Sequence, residues 1–258
     1  FPLVLIALGL LLAIPSSVML SATGETLEYA LPAPSGDATD AIDAMIKARE
    51  TLTEQLADCA SAVSAGAISE SRSVSGDQNI SATVYGAGAG WFEVYPSFLK
   101  SGRRISETEL EQGDKVAMLD ASAAFQLFGE DLSDDSKVEI GGESYRVVGT
   151  FSHKRNVGET GEYAAIVPLN AAKTAGGTTM MISAKPIPES GARTMFESSV
   201  PSAWREGGSA LSLEKEAMRR LILPRMLLFV FGMTVILVLL RRMNGIAKNR
   251  IAWYRNAI

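Results

Sequence analysis

Two apolar runs, one near each end of the chain, constrain its fold more than any other feature. Residues 1–22 carry no charged side chain. At about 1.5 Å per helical residue they reach across the roughly 30 Å hydrocarbon layer of a bilayer. Residues 221–240 form a second run, in which Arg225 lies near enough to the start for its side chain to extend to the interface. We therefore expect transmembrane helices at 1–22 and 219–241.

The distribution of charge predicts which side of the membrane each part occupies. No acidic residue follows Glu216, whereas eight basic residues do, and removing these eight from the formal net charge of −5 leaves −13 for residues 1–218. Because basic residues concentrate on the cytoplasmic side of membrane proteins, we expect residues 242–258 in the cytoplasm and residues 23–218 outside it. An acidic domain of this kind also excludes nucleic acid as a partner, since phosphates require a basic surface.

The first residues have a second possible interpretation. A secretory signal peptide would also be apolar, but the sequence opens on Phe1 without a methionine or a basic leader segment. We favour a transmembrane helix, and we expect that the sequence is part of a longer chain.

Between the apolar runs, the sequence pattern predicts a mixed α and β domain. Apolar residues recur at helical spacing from Ser35 to Val63, with a break at Arg49; we expect this stripe to pack on a sheet, and a partner-binding groove is the alternative. Gly141 and Gly142 predict a two-residue hairpin turn, because both can adopt positive φ. Strands are expected at 80–84, 115–119, 138–140, 145–151, 163–167, 178–184 and around Leu211 and Leu213, and helices at 121–128 and 190–200.

Several short patterns imitate functional motifs without completing them. Gly86, Gly88 and Gly90 have G-x-G-x-G spacing instead of the dinucleotide-binding G-x-G-x-x-G, so we expect them to form a flexible corner after a strand. Ser97 and Lys100, like Ser212 and Lys215, have the serine–lysine spacing of penicillin-binding enzymes, but the accompanying S-D-N and K-T-G elements are missing.

The remaining candidates for metal binding or catalysis are isolated. The acidic loop of Asp131, Asp134 and Asp135 lacks the glycine and the final glutamate of a calcium loop. His153 is the only histidine and Cys59 is the only cysteine, so neither a metal site nor a disulfide can be assembled from them. We therefore expect no enzymatic activity, no metal and no cofactor in this chain.

Three stretches in order carry a family resemblance. Residues 84–129, 137–151 and 162–170 resemble the periplasmic core domain of MacB-like ABC transporter permeases, of the FtsX-like permease family. The matching positions are Tyr85-Gly86, Trp91 to Val94, Gly102-Arg103, Lys115 to Leu119, Ala124, Leu127 to Gly129, Val147 to Gly149 and Pro168.

The resemblance implies a fold, a location and partners. It implies an α+β extracytoplasmic domain between two transmembrane α-helices, with a mixed α/β part and an inserted β-rich subdomain at about 78–168. It also implies a permease in the bacterial plasma membrane that pairs with a second permease, as a homo- or heterodimer, and with a cytoplasmic ABC ATPase that holds ATP and magnesium. ATP hydrolysis in that subunit would move the external domain, a mechanism termed mechanotransmission, for export, extraction or signalling.

The tail departs from the family, which has four spans. Its sequence, RRMNGIAKNRIAWYRNAI, resembles the family's coupling segment only loosely and lacks the acidic residue of that segment. We expect two further spans after Ile258; the alternative is a two-span sensor or accessory protein whose external domain binds a peptide, lipid or protein partner without ATP. A membrane-anchored hydrolase is a third class.

The basic tail supplies the candidate contact residues. We expect them to face an ATPase, or to act only as an anchor under the positive-inside rule: Arg241, Arg242, Lys248, Arg250, Trp253 and Arg255.

Overall fold

A computed structural model describes most of the predicted external domain. Its described residues are 26–32, 39–129, 133, 135–152, 163–170, 179–188, 190–205, 207–208 and 210–212, and a few residues between 230 and 245. The chain divides into two compact units, one of residues 25–212 and one of residues 1–24 with 213–258. The predicted span at 1–22 and most of the span at 219–241 lie outside the described residues. Among the helices that can be described, none has both the length and the apolar character required to cross a bilayer.

The unit of residues 25–212 is built on one mixed sheet of ten strands. Their order is β10-β1-β9-β2-β3-β8-β5-β7-β4, and β6 pairs with β2 and β7. The β3–β8 and β5–β7 pairs are parallel, and the others are antiparallel. The strands are β1 (Leu27–Pro32), β2 (Ala60–Ser75), β3 (Asn79–Ala87), β4 (Phe98–Gly102), β5 (Val116–Asp120), β6 (Lys137–Ile140), β7 (Glu143–Ser152), β8 (Tyr163–Pro168), β9 (Thr179–Pro186) and β10 (Ala210–Ser212).

Five helices cover the two faces of this sheet. Because side chains alternate along a strand, β9 directs Met180 and Ile182 to one face and Met181 to the other. The first face packs α1 and α5 at one end and α4 at the other, and the opposite face packs α2 and α3. The helices are α1 (Thr39–Gln55), α2 (Trp91–Val94), α3 (Glu107–Gln112), α4 (Ala121–Phe128) and α5 (Ala192–Ala203).

Several predicted elements are confirmed, together with their local causes. Gly141 and Gly142 have φ values of 62° and 83° and join β6 to β7, as the hairpin prediction required. Asp120 ends β5 and caps α4, because its carboxylate accepts a hydrogen bond from Ser122 N at 3.1 Å. The predicted strand at 163–167 is β8, which ends at Pro168.

The prediction for residues 35–63 was wrong about where the helix ends. Helix α1 ends at Gln55, and residues from Ala60 onward belong to β2. Arg49, at the break in the apolar stripe, lies within the helix, and its Nε donates to Val63 O at 3.2 Å. The apolar residues at Ala60 and Val63 continued the helical spacing only by coincidence.

The strands of the predicted inserted subdomain belong to the same sheet as the flanking strands. Residues 78–168 contribute β3 to β8 to the same sheet that β1, β2, β9 and β10 form. The buried hydrophobic residues do separate by segment. One cluster contains mainly residues from the flanking segments, and a second contains residues between 74 and 167. The boundaries proposed for the subdomain stay a prediction.

Helix α4 provides a direct test of the fold. Leu127 is 1% exposed in the second cluster, whereas Phe125 on the same helix is 64% exposed. Leu127→Asp should unfold the domain, because a buried carboxylate without a partner costs several kcal/mol. Phe125→Asp is the matched control and should change the melting temperature little. The measurement is thermal unfolding followed by circular dichroism, and a folded Leu127→Asp protein with an unchanged melting temperature would contradict the assignment.

Candidate functional surface

The structure describes only some of the residues that imitate catalytic motifs. Ser97 Oγ is buried without a hydrogen-bond partner, and Lys100 is exposed on β4. Lys215, His153, Asp131 and Asp134 lie outside the described residues. Among the residues that the structure does describe, no group of three or more histidines, cysteines or carboxylates could hold a metal ion. Cys59 is buried, and burial raises the pKa of its thiol.

The glycines of YGAGAGW form a tightly packed corner between β3 and α2. Gly88 N donates to Ala65 O at 2.9 Å, and a Cβ at Gly88 would lie 2.6 Å from that same oxygen. Gly90 has a φ of 77°, and its Cβ would lie 2.8 Å from Val63 O. A corner follows the strand as predicted, but it is tightly packed and not flexible, and Gly88 and Gly90 are required because the chain passes directly against β2.

This corner positions a row of aromatic rings across the sheet. Trp91 lies over Gly66, where a Cβ would be 2.4 Å from the indole ring. The ring centroids of Trp91 and Tyr85 are 6.3 Å apart, and those of Trp91 and Tyr95 are 4.5 Å apart. At the end of the row, the Tyr95 hydroxyl donates to the Glu28 carboxylate and lies 2.7 Å from the Ser183 hydroxyl. The row therefore ties α2 to β1 and β9.

A second constrained segment, residues 102–106, connects β4 to α3; we call it the arginine elbow. Gly102 has a φ of 71°, and its Cβ would lie 2.4 Å from Val148 O. Arg103 N donates to that same oxygen at 2.9 Å. At the crossing point on β7, a Cβ on Gly149 would lie 2.2 Å from Arg103 O. Both strands therefore need glycine where they cross.

Ion pairing and capping fix the arginine elbow on α3. The Arg103 guanidinium donates to both carboxylate oxygens of Glu109, at 2.7 Å and 2.6 Å. Ser106 caps α3, since its hydroxyl accepts from Glu109 N and its own N–H donates to the Glu109 carboxylate at 2.9 Å. The hydrogen bond from Arg103, which outweighs the opposing effect of burial, lowers the pKa of Glu109 to about 2, and Ser106 contributes in the same direction.

Arg104 connects the arginine elbow to the segment before β4. Its guanidinium carbon lies 5.9 Å from the centre of the Phe92 ring, within cation–π range. Its Nη2 donates to Ser97 O at 2.7 Å. The residues on both sides of β4 are thus held in place by Arg104.

Strand β4 presents an exposed edge between these anchors. It forms one edge of the sheet and all five of its residues are exposed, with Phe98 at 69% and Leu99 at 42%. The register with β7 shifts between Leu99 and Ser101, so Lys100 is the extra residue of a β-bulge. Apolar side chains beside Lys100, Arg103 and Arg104 suit noncovalent contact with another molecule.

The structure places only part of the predicted cytoplasmic set. Arg241 and Arg242 are helical and exposed. Lys248, Arg250, Trp253 and Arg255 lie outside the described residues. Sequence reasoning also missed the Tyr95–Glu28 hydrogen bond, because its partners are 67 residues apart and no periodicity links them.

Comparisons with known proteins give consistent results. A family model described as the MacB-like periplasmic core domain matches residues 3–193. The uncharacterized ABC transporter permease YvrN of Bacillus subtilis is 30% identical over 88 residues, which cover 34% of this chain and 22% of that protein. The macrolide export ATP-binding/permease protein MacB of Aggregatibacter actinomycetemcomitans is 32% identical over 75 residues, 29% of this chain and 12% of that protein. The aligned regions thus span less than a quarter of either relative.

Solved structures share the fold. The periplasmic region of MacB from Actinobacillus actinomycetemcomitans has a TM-score of 0.59 at 21% identity, and the match covers 76% of this chain and 92% of that one. The extracellular domain of the ABC-type transporter YknZ from Gram-positive bacteria has a TM-score of 0.55 at 16% identity, with 72% and 99% covered. The mixed α and β fold predicted from the sequence is confirmed.

The arginine elbow predicts a pH-dependent contribution to stability. Because the pKa of Glu109 is lowered in the folded state, its contribution is complete above the ordinary glutamate pKa and is lost as the pH falls towards about 2. Glu109→Gln should lower the free energy of unfolding by about 1–2 kcal/mol near pH 7, a range that allows for the exposure of Arg103. The difference from the parent protein should shrink between about pH 4.5 and pH 2.

The measurement is urea unfolding at a series of pH values. Glu197→Gln is the matched control, because Glu197 pairs with Arg193 at 2.8 Å on an exposed helix surface. Its effect should stay within about 0.5 kcal/mol. An effect of Glu109→Gln that does not change between pH 7 and pH 2 would contradict the role given to the ionised carboxylate.

Proposed function

Because the chain belongs to the family of MacB-like periplasmic core domain proteins, we propose that it is the permease subunit of a MacB-like ABC transporter. The observation that carries this proposal is the family match over residues 3–193, which is most of the chain. Two curated relatives support it, since one is named an ABC transporter permease and the other a macrolide export ATP-binding/permease protein. The proposal places the chain in a bacterial plasma membrane, spanned at 1–22 and 219–241.

In this proposal the chain performs no chemistry of its own. A cytoplasmic ABC ATPase binds ATP and magnesium, and a second permease completes the complex, as a homo- or heterodimer. The ATPase hydrolyses ATP, and its closure moves the membrane helices and, through them, the external domain. This role is consistent with a domain whose described part contains close glycine crossings, ring contacts and ion pairs.

The external domain connects to the flanking segments through neighbouring strands. Strand β1 follows the first predicted span and β10 precedes the second, and the two pair along the edge of the sheet. A displacement of the spans therefore acts on one edge of the domain. This arrangement favours a domain that is moved from the membrane over one that only tethers a binding site.

The cytoplasmic contact is proposed for the basic tail. Arg241 and Arg242 are exposed on a helix, where they can reach acidic groups of an ATPase, and Lys248, Arg250, Trp253 and Arg255 would continue the contact. The same charges also hold the tail on the cytoplasmic side. The two roles are compatible because the first needs specific partners and the second only positive charge.

Co-purification tests the proposal. The chain, expressed from its genomic locus with the neighbouring genes, should retain an ATPase with a P-loop motif after detergent extraction. The Arg241→Ala/Arg242→Ala double variant should retain several-fold less of it. Arg193→Ala/Lys185→Ala removes two basic side chains from the external domain and is the matched control, with retention unchanged. A chain that retains no such ATPase, and whose membrane insertion is normal, would indicate the two-span sensor instead.

A further inference from the structure

The first and last strands of the external domain end side by side. Strand β1 starts at Leu27 and β10 ends at Ser212, and these two residues are paired partners in an antiparallel register. The chain therefore enters the sheet and leaves it at one point. Any force that separates residues 25 and 213 acts directly on the Leu27–Ser212 pair.

Such a force loads the pair in its weakest direction. When an antiparallel pair is pulled from adjacent ends, its hydrogen bonds break one after another, and each contributes only about 1 kcal/mol net. The β1–β10 pairing includes three residues of β10, whereas β1 and β9 pair over six. Strand β10 is at the edge of the sheet, so β1 is its sole neighbour among the strands of the sheet order. The last strand should thus separate before any other.

One side chain of β1 holds the segment that leads into β10. The Tyr29 hydroxyl donates to Arg205 O at 2.9 Å and accepts from Gly208 N at 2.9 Å. Tyr29 is only 2% exposed, and its ring meets the edge of Trp204 at a centroid distance of 6.1 Å. Gly208 approaches so closely that a Cβ there would lie 2.7 Å from the tyrosine ring.

Helix α5, which precedes the segment held by Tyr29, is firmly attached to the core. Helix α5 buries Phe196 and Val200 completely, and Trp204 N closes the helix on Val200 O at 3.0 Å. The Tyr29 hydroxyl therefore acts at the boundary between a fixed helix and a short edge strand. Loss of its two hydrogen bonds would leave β10 held only by its three-residue pairing with β1, and it would leave the buried contacts of α5 in place.

We propose that Tyr29, Arg205, Gly208 and β10 form a releasable clip that fastens the last strand of the domain to the first. The two hydrogen bonds on the Tyr29 hydroxyl and the three-residue pairing of β10 with β1 together set the free energy at which the clip opens. On opening, β10 leaves the sheet, β1 becomes its edge, and the two connections to the rest of the chain can move apart. The role of the opening in transport rests on the proposed function, whereas the clip itself does not.

Hydrogen exchange measured by mass spectrometry on the full chain in detergent tests the clip. Tyr29→Phe keeps the ring against Trp204 and removes only the hydroxyl. Peptides covering residues 207–212 should then exchange about five- to thirtyfold faster, as expected for one or two lost hydrogen bonds. Peptides from β2 and β9 should keep their rates.

Tyr95→Phe is the matched control for this experiment. It also removes one hydroxyl that hydrogen-bonds to β1, but the bonds it removes go to the side chains of Glu28 and Ser183. Glu28 pairs with Leu211 through the backbone, and this substitution leaves that pairing in place. Residues 207–212 should exchange at the parental rate in this variant. Equal acceleration in both variants, or exchange of residues 207–212 only together with β2 and β9, would overturn the clip.

A reversible cross-link tests the transport role separately. Glu28 and Leu211 are paired partners, and the Cα separation of such pairs suits a disulfide. In the Glu28→Cys/Leu211→Cys variant, oxidation should reduce the ATPase turnover of the purified complex several-fold, and reduction should restore it. The reduced form of the same protein is the control, and Leu211→Cys alone should not respond to oxidant.

The outcomes distinguish the two hypotheses. If oxidation leaves ATPase turnover unchanged, opening of the clip has no part in the coupling. If no ATPase is retained, the proposed function fails, and the exchange rates of residues 207–212 still decide whether the clip exists.

Discussion

The pairing of β2 holds the external domain together. This strand of 16 residues pairs with β9, β3 and β6, so it joins strands from the flanking segments to strands from the middle of the sequence. Its first half lies in the cluster under α1 and α5, and Val74 near its end lies in the cluster under α4. Between them the register shifts, and Ser71 has a positive φ of 53°, which marks a bulge. Without β2, the strands from the flanking segments would lose their connection to the strands from the middle of the sequence.

The composition of β2 also explains the surface that faces away from α1. Small residues such as Ala65 and Gly66 allow the glycine corner and Trp91 to approach the strand closely. The corner in turn places α2 and Tyr95, and Gly90 N donates to Glu107 at the start of α3. The arginine elbow and the exposed edge of β4 follow from that placement. The exposed edge of β4 is therefore positioned by a series of close contacts between backbone segments more than by any single side chain.

The sequence predicted those parts of the molecule whose causes are local. Gly141-Gly142 required a hairpin turn, the pattern of residues 115–128 predicted a strand followed by α4, and the ordered motifs identified the family, which the family match confirmed. Strand β2 was missed because most of its residues are alanine, serine or glycine, and only Val63, Ile68 and Val74 are of the β-branched type typical of strands. The hydrogen bonds of Tyr29 and Tyr95 could not be predicted, since they join residues 176 and 67 positions apart. Periodicity describes one element at a time, and these contacts depend on how distant elements meet.

The strand order gives the sheet a mechanical property of its own. The clip is at one edge and β4 is at the other, with seven strands between them. Between them the strands close on themselves, because β6 pairs with both β2 and β7. The strands β2, β3, β8, β5, β7 and β6 therefore form a closed ring of pairings, in which each strand has a neighbour on both sides. Strand β10 has a neighbour on one side, so the part of the domain that carries the exposed Phe98 and Leu99 should stay folded when β10 leaves the sheet.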